Sequence, residues 1–259
     1  MGLIKFILKK AVPAPKIEEC NSFAFIGPHP DDIEVGCGAT VAKLAKQGKR
    51  ICFIIATDGA YGCQDADYDK QKLIETRKKE ALASAKILGV EDVRFLGFPD
   101  GGDYDTLELG RKIALELSDF KPDLIFAPDN HMKAEIHPDH LKTGRAAEIA
   151  MMFSGFSPIM KDLGSEQTAK IKGIAYYYTD RPNAYVNVTK TFKDKIQALK
   201  EHKSQFLADE QMRKDFEMMG LYFKLTAIRF GFRKFCRYAD GYRALSILHT
   251  HCAPEASDF

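Results

Sequence analysis

The amino-acid sequence predicts an α/β protein with a Rossmann-like, mostly parallel sheet and helices on both faces of that sheet. Short, almost continuously apolar segments alternate with longer segments in which apolar residues recur at helical spacing. Strands that are apolar on both faces are typical of parallel sheets covered by helices. The polar clusters of interest follow the carboxyl ends of these strands, the edge where such folds bind ligands.

The predicted elements follow one another in order after a Pro-rich opening. Strands are predicted at residues 23–27, 51–59, 93–100, 123–129 and 173–180. Helices are predicted at residues 36–48, 69–88, 106–120, from 137 onward, and 190–206. Gly89 is expected to end the second helix in the left-handed conformation.

The chain of 259 residues is long enough for one domain, and we expect it to form a single one. Residues 1–20 would be an N-terminal extension with a short amphipathic helix that packs on the domain or on a partner subunit. Residues 209–259 would be a C-terminal helical segment that completes the core or contacts another subunit.

Composition and charge exclude several classes of protein. The 38 basic and 36 acidic residues nearly cancel, which gives no electrostatic basis for binding nucleic acid. No apolar run approaches the roughly 20 residues that cross a bilayer, and the N-terminus lacks the features of a signal peptide. The six cysteines form no CxxC pair and no disulfide pattern. We therefore expect reduced thiols, a cytoplasmic location and no membrane partner.

Two compact clusters of histidine and aspartate carry the chemical signal. Residues 29–32 (His-Pro-Asp-Asp) follow the first predicted strand, and residues 137–140 (His-Pro-Asp-His) begin a predicted helix. A catalytic zinc site commonly has three nitrogen or oxygen ligands and one open position. The two clusters can supply these ligands and leave a carboxylate for a general base and a histidine for the oxyanion. Either cluster alone could instead be a turn whose aspartate caps the next helix.

Other residues near these clusters have simpler explanations. Cys37 lies in a Gly-rich turn and is expected to be a small packing residue, because harder ligands already suffice for the metal. That turn lacks the GxGxxG pattern of dinucleotide-binding loops. Of the consecutive tyrosines at 176–178, at most one is expected to reach the site. His131 and His202 fit either the site or a packing role.

Several motifs resemble one enzyme superfamily. The segments PHPDDIEVGCGAT, TDGAYG, LGFPDG and HPDH are similar to the LmbE/PIG-L-like superfamily of zinc-dependent N-acetylglucosaminyl deacetylases. The resemblance extends from Phe25 to about His251. Within the superfamily, YYTDRPN, EHKSQF and RYADGYR are most similar to the N,N'-diacetylchitobiose deacetylase branch. Ile33 and Ala60 depart from the pattern, since the superfamily commonly has glutamate at both positions.

The resemblance implies a role for each polar residue of the two clusters. The implied ligands of Zn²⁺, or of Fe²⁺ or Co²⁺ in its place, are His29, Asp32 and His140. Asp31 would be the general base that takes a proton from the attacking water. His137 would stabilise the oxyanion or protonate the leaving amine, and Asp139 would orient a histidine.

Two further residues gain a role from the resemblance alone. Arg77 matches an arginine that holds sugar hydroxyls in such enzymes. His251 matches a C-terminal histidine that reaches the active site of a neighbouring subunit, which implies a homo-oligomer.

These observations predict a metal-dependent hydrolase that acts on a small-molecule amino sugar. It would remove the N-acetyl group from an N-acetylglucosamine-containing sugar or a short chito-oligosaccharide and release acetate. A thiol-glycoside or another N-acyl amino-sugar conjugate is an alternative substrate for the same chemistry. In a different class, the chain could be a non-catalytic carbohydrate-binding α/β module with a structural metal, which would need neither a base nor an open coordination position.

Overall fold

The centre of the fold is a seven-stranded mixed sheet, which the computed structural model describes within residues 3–251, 256 and 259. Its strands are β1 (Ser22–Gly27), β2 (Arg50–Thr57), β3 (Asp92–Phe98), β4 (Leu124–Pro128), β5 (Gly173–Tyr177), β6 (Ala184–Asn187) and β7 (Ala239–Ser246). Their order across the sheet is β3-β2-β1-β4-β5-β7-β6. The strands from β3 to β5 in this order are parallel, while β7 is antiparallel to both β5 and β6. The predicted Rossmann-like, mostly parallel sheet is therefore confirmed.

Helices cover both faces of the sheet. They are α1 (Leu3–Ala11), α2 (Asp32–Lys46), α3 (Lys70–Leu88), α4 (Thr106–Phe120), α5 (Pro138–Phe153), α6 (Ser157–Asp162), α7 (Phe192–Leu199), α8 (Lys203–Phe206) and α9 (Glu210–Lys234). A short 3-10 turn at Ile17–Glu19 precedes β1. In the described part of the chain, no helix combines the length and apolar character that a bilayer-spanning segment needs.

Two apolar cores lie on opposite faces of the sheet because side chains of a strand alternate between its faces. In β1, Phe23 and Phe25 belong to the core beneath α2 and α3, whereas Ala24 and Ile26 belong to the core beneath α4 and α5. Phe25 stacks on Phe126 of β4 with ring centroids 4.4 Å apart. Full burial of a phenylalanine side chain stabilises a fold by roughly 1.5–3 kcal/mol.

The ends of α3 and α4 follow local signals in the sequence. The Asp69 side chain accepts the backbone N–H of Lys72 at 3.0 Å and caps α3. Gly89 ends the same helix with a φ of 82°, a conformation that glycine adopts without strain. Asp105 caps α4 by accepting the N–H of Glu108 at 2.8 Å. Both helices therefore form where they are predicted.

Helix α2 begins at Asp32, earlier than the predicted start at residue 36. The polarity of the residues after β1 suggests a loop, but Ile33 is fully buried in the core beneath this helix. Asp32 and Glu34 lie in the first turn, where negative side chains interact favourably with the helix dipole. The first polar cluster thus straddles the junction between β1 and the amino end of α2.

The C-terminal part of the chain differs most from the prediction. The helix predicted at 190–206 is two helices, α7 and α8, and the strand β7 lies inside the sheet between β5 and β6. Charged residues obscure this strand in the sequence. Asp240 Oδ2 accepts hydrogen bonds from the Thr40 backbone N–H at 3.1 Å and its hydroxyl at 2.7 Å. Arg243 Nε donates to the Phe259 carbonyl oxygen at 2.7 Å, so both charges are buried with partners.

The order of the strands determines where a site can form. The chain leaves β1 for β2 on one side, while β4 and β5 lie on the other side, so the order reverses between β1 and β4. In open α/β sheets, ligands bind in the crevice at this reversal, outside the carboxyl ends of the strands. Residues 28–32 follow β1 and residues 129–137 follow β4, which brings the two predicted clusters to this crevice.

Candidate active site

Three side chains at the crevice form a group that fits a divalent metal ion. The ligand atoms of His29, Asp32 and His140 all lie within 4.8 Å of one another. Asp32 stands between the two imidazoles, with Oδ2 at 3.0 Å from His29 Nδ1 and Oδ1 at 3.4 Å from His140 Nε2. Burial alone would raise the pKa of Asp32, but hydrogen bonds from His140 and His29 hold it well below its usual range. An ionised carboxylate between two imidazoles is a donor set that suits zinc and related ions.

Carboxylates behind His29 orient its ring. His29 Nε2 lies 3.2 Å from Asp139 Oδ2 and 3.3 Å from Asp100 Oδ1. Burial would lower the pKa of His29, but the hydrogen bonds with Asp100, Asp139 and Asp32 raise it well above its usual value. Asp139 is fully buried and also accepts the backbone N–H of Gly101 at 2.9 Å. These contacts place Asp139 where its expected role in orienting a histidine requires it.

Glu135 supports the second cluster from the loop after β4. Its Oε2 lies 2.9 Å from His140 Nδ1, and its Oε1 accepts the backbone N–H of His137 at 2.8 Å. Burial would lower the pKa of His140, but its contacts with Asp32 and Glu135 raise it. One carboxylate therefore holds both histidines of the cluster in place.

His137 is the exposed histidine of the site, with 45 % of its side chain accessible. As the N-cap of α5, its Nδ1 accepts the backbone N–H of Asp139 at 3.3 Å. In the neutral ring, Nε2 must then carry the proton, so His137 presents an N–H donor to the crevice. Burial and the neighbouring His29 and His140 lower the pKa of His137, which favours this neutral form near pH 7.

A second grouping of ligand atoms involves His29, His137 and Asp139. In this grouping, however, the backbone N–H of Asp139 occupies the Nδ1 lone pair of His137. His137 Nδ1 is also 3.8 Å from Asp139 Oδ2. The group with Asp32 and His140 is the better fit, because its carboxylate contacts both imidazoles.

Asp31 lies beside the metal-binding group in a strained conformation. Its φ of 132° is rare for any residue other than glycine, and such strain is common at functional sites. Its side chain is 15 % accessible, so it borders the crevice while most of it is removed from water. Burial raises the pKa of Asp31 to about 6, against the opposing effect of Arg77 and in the same direction as the effect of Asp32. A carboxylate with such a pKa is suited to accept a proton near neutral pH.

Arg77 holds Asp31 from behind. Its Nη2 donates to Asp31 Oδ2 and to the Pro30 carbonyl, both at 3.0 Å, and its Nη1 donates to the Gly59 carbonyl at 2.8 Å. The residue is 3 % exposed. The structure thus shows a function for Arg77 that the sequence did not predict, which is to orient Asp31. Its contact with sugar hydroxyls stays a prediction.

One of the three consecutive tyrosines reaches the site, in agreement with the sequence prediction. Tyr178 has a φ of 56°, and its hydroxyl donates to Asp32 Oδ1 at 3.0 Å. Tyr177 is buried and donates to the Ile26 carbonyl at 2.9 Å, while Tyr176 contacts Glu148 at 2.7 Å. The turn after β5 therefore turns Tyr178 alone toward the metal-binding group.

Three other histidines lie outside the metal-binding group. His202 is completely buried, with Nε2 at 3.2 Å from Glu34 Oε1. His131 contacts Glu148 at 2.7 Å. His251 lines a separate cavity of about 860 Å³ that none of the metal-binding residues borders. Its expected contact with a neighbouring subunit stays a prediction.

Comparison with known proteins shows relatives over most of the chain. The family model described as PIG-L: GlcNAc-PI de-N-acetylase matches residues 24–151. The diacetylchitobiose deacetylase of Thermococcus kodakarensis is 30% identical over 233 residues, which cover 89% of this chain and 85% of that protein. A probable N-acetyl-alpha-D-glucosaminyl L-malate deacetylase of Bacillus cereus is 26% identical, with 69% and 80% covered.

A solved structure supports the same relationship. The N,N'-diacetylchitobiose deacetylase from Pyrococcus horikoshii, determined with an inhibitor, superposes with a TM-score of 0.85 at 29% sequence identity. The match covers 97% of this chain and 94% of that chain. The chain belongs to the PIG-L family of deacetylases.

Proposed function

We propose that this protein is a metal-dependent amidohydrolase that removes the N-acetyl group from an N-acetylglucosamine-containing sugar or short chito-oligosaccharide. The observation that carries the proposal is the position of two groups beside the metal-binding residues. Asp31 is a strained, largely buried carboxylate with a raised pKa, and His137 presents an N–H donor to the same crevice. Deacetylation requires this pair, since one group must accept a proton and the other must support a developing negative charge.

The metal ion would be held by His29, Asp32 and His140, whose donor set fits Zn²⁺ and also Fe²⁺ or Co²⁺. When bound, the ion would polarise the acetamide carbonyl and lower the pKa of water toward about 7. The carboxylates behind His29 and His140 keep both rings oriented for this task.

Asp31 would accept the proton of the attacking water. Arg77 fixes its carboxylate, so little reorganisation is needed as the proton moves. The oxygen of the water forms the new bond to the acetyl carbon, and the His137 Nε2–H donates to the carbonyl oxygen as it becomes negative. The C–N bond then breaks, and the proton held by Asp31 is available to the departing nitrogen. The products are acetate and the free amino sugar, so atoms and protons balance.

The acyl-bearing conjugate could differ from a chitin fragment. The Bacillus cereus relative is described as acting on a glucosaminyl malate, which supports a thiol-glycoside precursor or another N-acyl amino-sugar conjugate as the second candidate. A non-catalytic carbohydrate-binding module has less support, because such a module needs neither the strained Asp31 nor the exposed donor of His137.

We further propose that the chain acts as one domain and assembles as a homo-oligomer. Support for one domain comes from β7, which is near the C-terminus and lies within the sheet. Support for assembly comes from large apolar side chains exposed on the outside of α9, including Met218, Leu221 and Leu225. The described cysteines are free thiols, which supports a cytoplasmic location.

The test is acetate release from N-acetylglucosamine and diacetylchitobiose by metal-stripped protein, with and without added zinc. We expect zinc-dependent release, and Asp31→Asn should lower turnover by about two to four decades while the protein retains its metal. Asp103→Asn, which removes an exposed carboxylate near the same crevice, is the matched control and should keep full turnover. Undiminished turnover in Asp31→Asn would refute the assignment of the base. No release from either sugar despite bound zinc would refute the proposed substrate.

A further inference from the structure

A cavity of about 430 Å³ continues from the metal-binding group toward α9. Its inner end is formed by Glu135, His140 and Tyr178, the residues that border the metal-binding group. Its outer wall is a set of α9 side chains, namely Tyr222, Phe223, Thr226, Arg229 and Phe230. The volume lies within the range of about 300–1,000 Å³ that is usual for small-molecule sites. A substrate whose acetamide reaches the metal-binding group could therefore extend into this cavity.

Aromatic rings form much of the outer wall. Tyr222 is 65 % exposed although it borders a cavity, so its ring can still lose contact with water when a ligand binds. Phe230 lies flat against β7, where a side chain on Gly241 would place a Cβ 2.9 Å from its ring. The apolar C–H face of a pyranose ring packs on such aromatic surfaces, and its hydroxyls point to the sides.

Polar groups are available for those hydroxyls. Within the described residues, no carboxylate pairs with Arg229, whose guanidinium lies over the Phe230 ring at 4.8 Å. The Thr226 hydroxyl lies one turn earlier on the same helix. Lys195, by contrast, already donates to the Val35 carbonyl at 2.6 Å, so it serves as a fixed part of the wall.

The charge of the cavity favours a neutral ligand. Its lining contains two acidic residues, Glu135 and Asp240, and two basic residues, Lys195 and Arg229. Such a balance gives no net attraction for a phosphate or another strongly anionic group. The combination of aromatic surface, a few hydrogen-bonding groups and near-zero charge matches a neutral sugar.

We propose that this cavity binds the second pyranose of a disaccharide substrate, the sugar linked to the one that carries the reacting acetamide. The proposal rests on the proposed function and specifies the substrate as at least a disaccharide. Tyr222 and Phe230 contact the apolar face of the second ring, and Arg229 and Thr226 donate hydrogen bonds to its hydroxyls. Since a monosaccharide does not reach α9, these residues determine the preference for longer substrates.

The first test compares kcat/KM for diacetylchitobiose with kcat/KM for N-acetylglucosamine. We expect Tyr222→Ala and Arg229→Gln each to lower the ratio of the two values by on the order of tenfold, the usual effect of one lost contact in a pocket. Leu225→Ala is the matched control, because Leu225 is 57 % exposed on the same helix and does not line the cavity. It should leave the ratio at the wild-type value. An equal loss for both sugars, or no change in the ratio, would overturn the proposal.

A second variant fills the cavity without removing a contact. Thr226→Phe places a ring where the second pyranose would lie, so we expect a fall in the ratio larger than that of Tyr222→Ala. Calorimetric binding of chitobiose, which has no acetyl group to release, separates this proposal from the proposed function. Binding that is weakened by Thr226→Phe, without turnover of either acetylated sugar, would support the cavity and refute the deacetylase. Turnover of diacetylchitobiose with an unchanged ratio in Thr226→Phe would do the reverse.

Discussion

At the scale of single residues, the site separates the work of its histidines by what lies behind each ring. His29 and His140 have carboxylates on the side away from the metal position, which makes them strong ligands. His137 has only a backbone N–H on its Nδ1, so its remaining nitrogen is a donor. Its lowered pKa, caused by burial and by the two neighbouring imidazoles, keeps it neutral near pH 7. Three histidines of similar sequence context thus differ in function because their partners differ.

This division predicts the effect of removing His137 alone. His137→Ala should lower kcat by about two to three decades, the usual effect of losing one oxyanion donor. The metal content should stay at the wild-type level, because His137 is not needed to complete the group formed by His29, Asp32 and His140. Elemental analysis and acetate release would measure the two quantities on the same sample. His131→Ala, in the same loop, is the control. Loss of metal in His137→Ala would instead support the second grouping of ligands.

At the scale of elements, the short helix α8 connects the parts that surround Asp31. It lies within the EHKSQF segment, which the resemblance singled out without a role. Ser204 donates from its hydroxyl and its backbone N–H to Glu80, at 2.6 and 2.8 Å, and Glu80 is one turn after Arg77 on α3. Gln205 donates to the Gly62 carbonyl at 3.1 Å, close to the loop whose Gly59 carbonyl binds Arg77. Helix α8 therefore fixes the two supports that hold the guanidinium.

Loss of this connection should cost stability. Ser204→Ala leaves the partly buried Glu80 carboxylate without one of its donors, so we expect the free energy of unfolding to fall by about 1–3 kcal/mol. Urea denaturation would measure this change. Lys203→Ala, an exposed residue of the same helix, should stay within about 0.5 kcal/mol of wild type. Equal stability of Ser204→Ala and Lys203→Ala would show that the contact with Glu80 does not support α8.

The pair of His202 and Glu34 gives the same region a dependence on pH. Burial would lower the pKa of His202, but Glu34 raises it above the ordinary value of 6.5. A raised pKa in the folded state means that the charged pair stabilises the fold fully below pH 6.5, and that this contribution is lost as the pH rises through the folded-state pKa. His202→Gln should therefore lose more stability relative to wild type at about pH 6 than at about pH 8.

Urea denaturation of both proteins at the two pH values would measure this difference. Lys203→Gln serves as the control, since lysine does not titrate in this range. A stability difference between wild type and His202→Gln that grows with pH would contradict the assigned direction.

At the scale of the whole molecule, the sequence predicted the parallel part of the sheet but not its antiparallel edge. Strands such as β1 and β4 are apolar on both faces and therefore visible as continuous runs. Strand β7 contains Asp240, Gly241 and Arg243, and only the partners supplied by distant residues make their burial acceptable. Those partners cannot be identified from the sequence of the strand. Strand β6 has only four residues and gives too short a pattern to recognise.

The site was predictable to a similar degree. The two compact clusters contain all three residues of the metal-binding group, because each cluster directly follows a strand at the reversal of strand order. Asp100, Glu135 and Tyr178 were not assigned roles, although Asp100 stands in the FPDGG cluster after β3 and Tyr178 at the end of β5. Each is a single polar residue on a different loop, so no spacing pattern connects it with the ligands. Their relation appears only when the loops meet in the fold.

The metal-binding group joins loops from two strands, so metal should stabilise the whole fold and not only the reaction. Asp32 and His29 follow β1, and His140 lies on α5 beyond β4. An ion that binds the folded chain and not the unfolded chain adds about 2.7 kcal/mol at a concentration of 100 times Kd. For a chain of this size, that energy raises Tm by roughly 5–10 °C. Metal removal with a chelator should lower Tm by this amount, and added zinc should restore it.

The same measurement on variants distinguishes the ligands from the other histidines. His140→Ala should abolish the zinc-dependent rise in Tm, because it leaves only two ligands on one side of the crevice. His137→Ala and His131→Ala should keep the rise. A zinc response that survives in His140→Ala and disappears in His137→Ala would move the metal to the group that contains Asp139. In that case His140 could no longer be a ligand, and Asp32 would be free to compete with Asp31 as the proton acceptor.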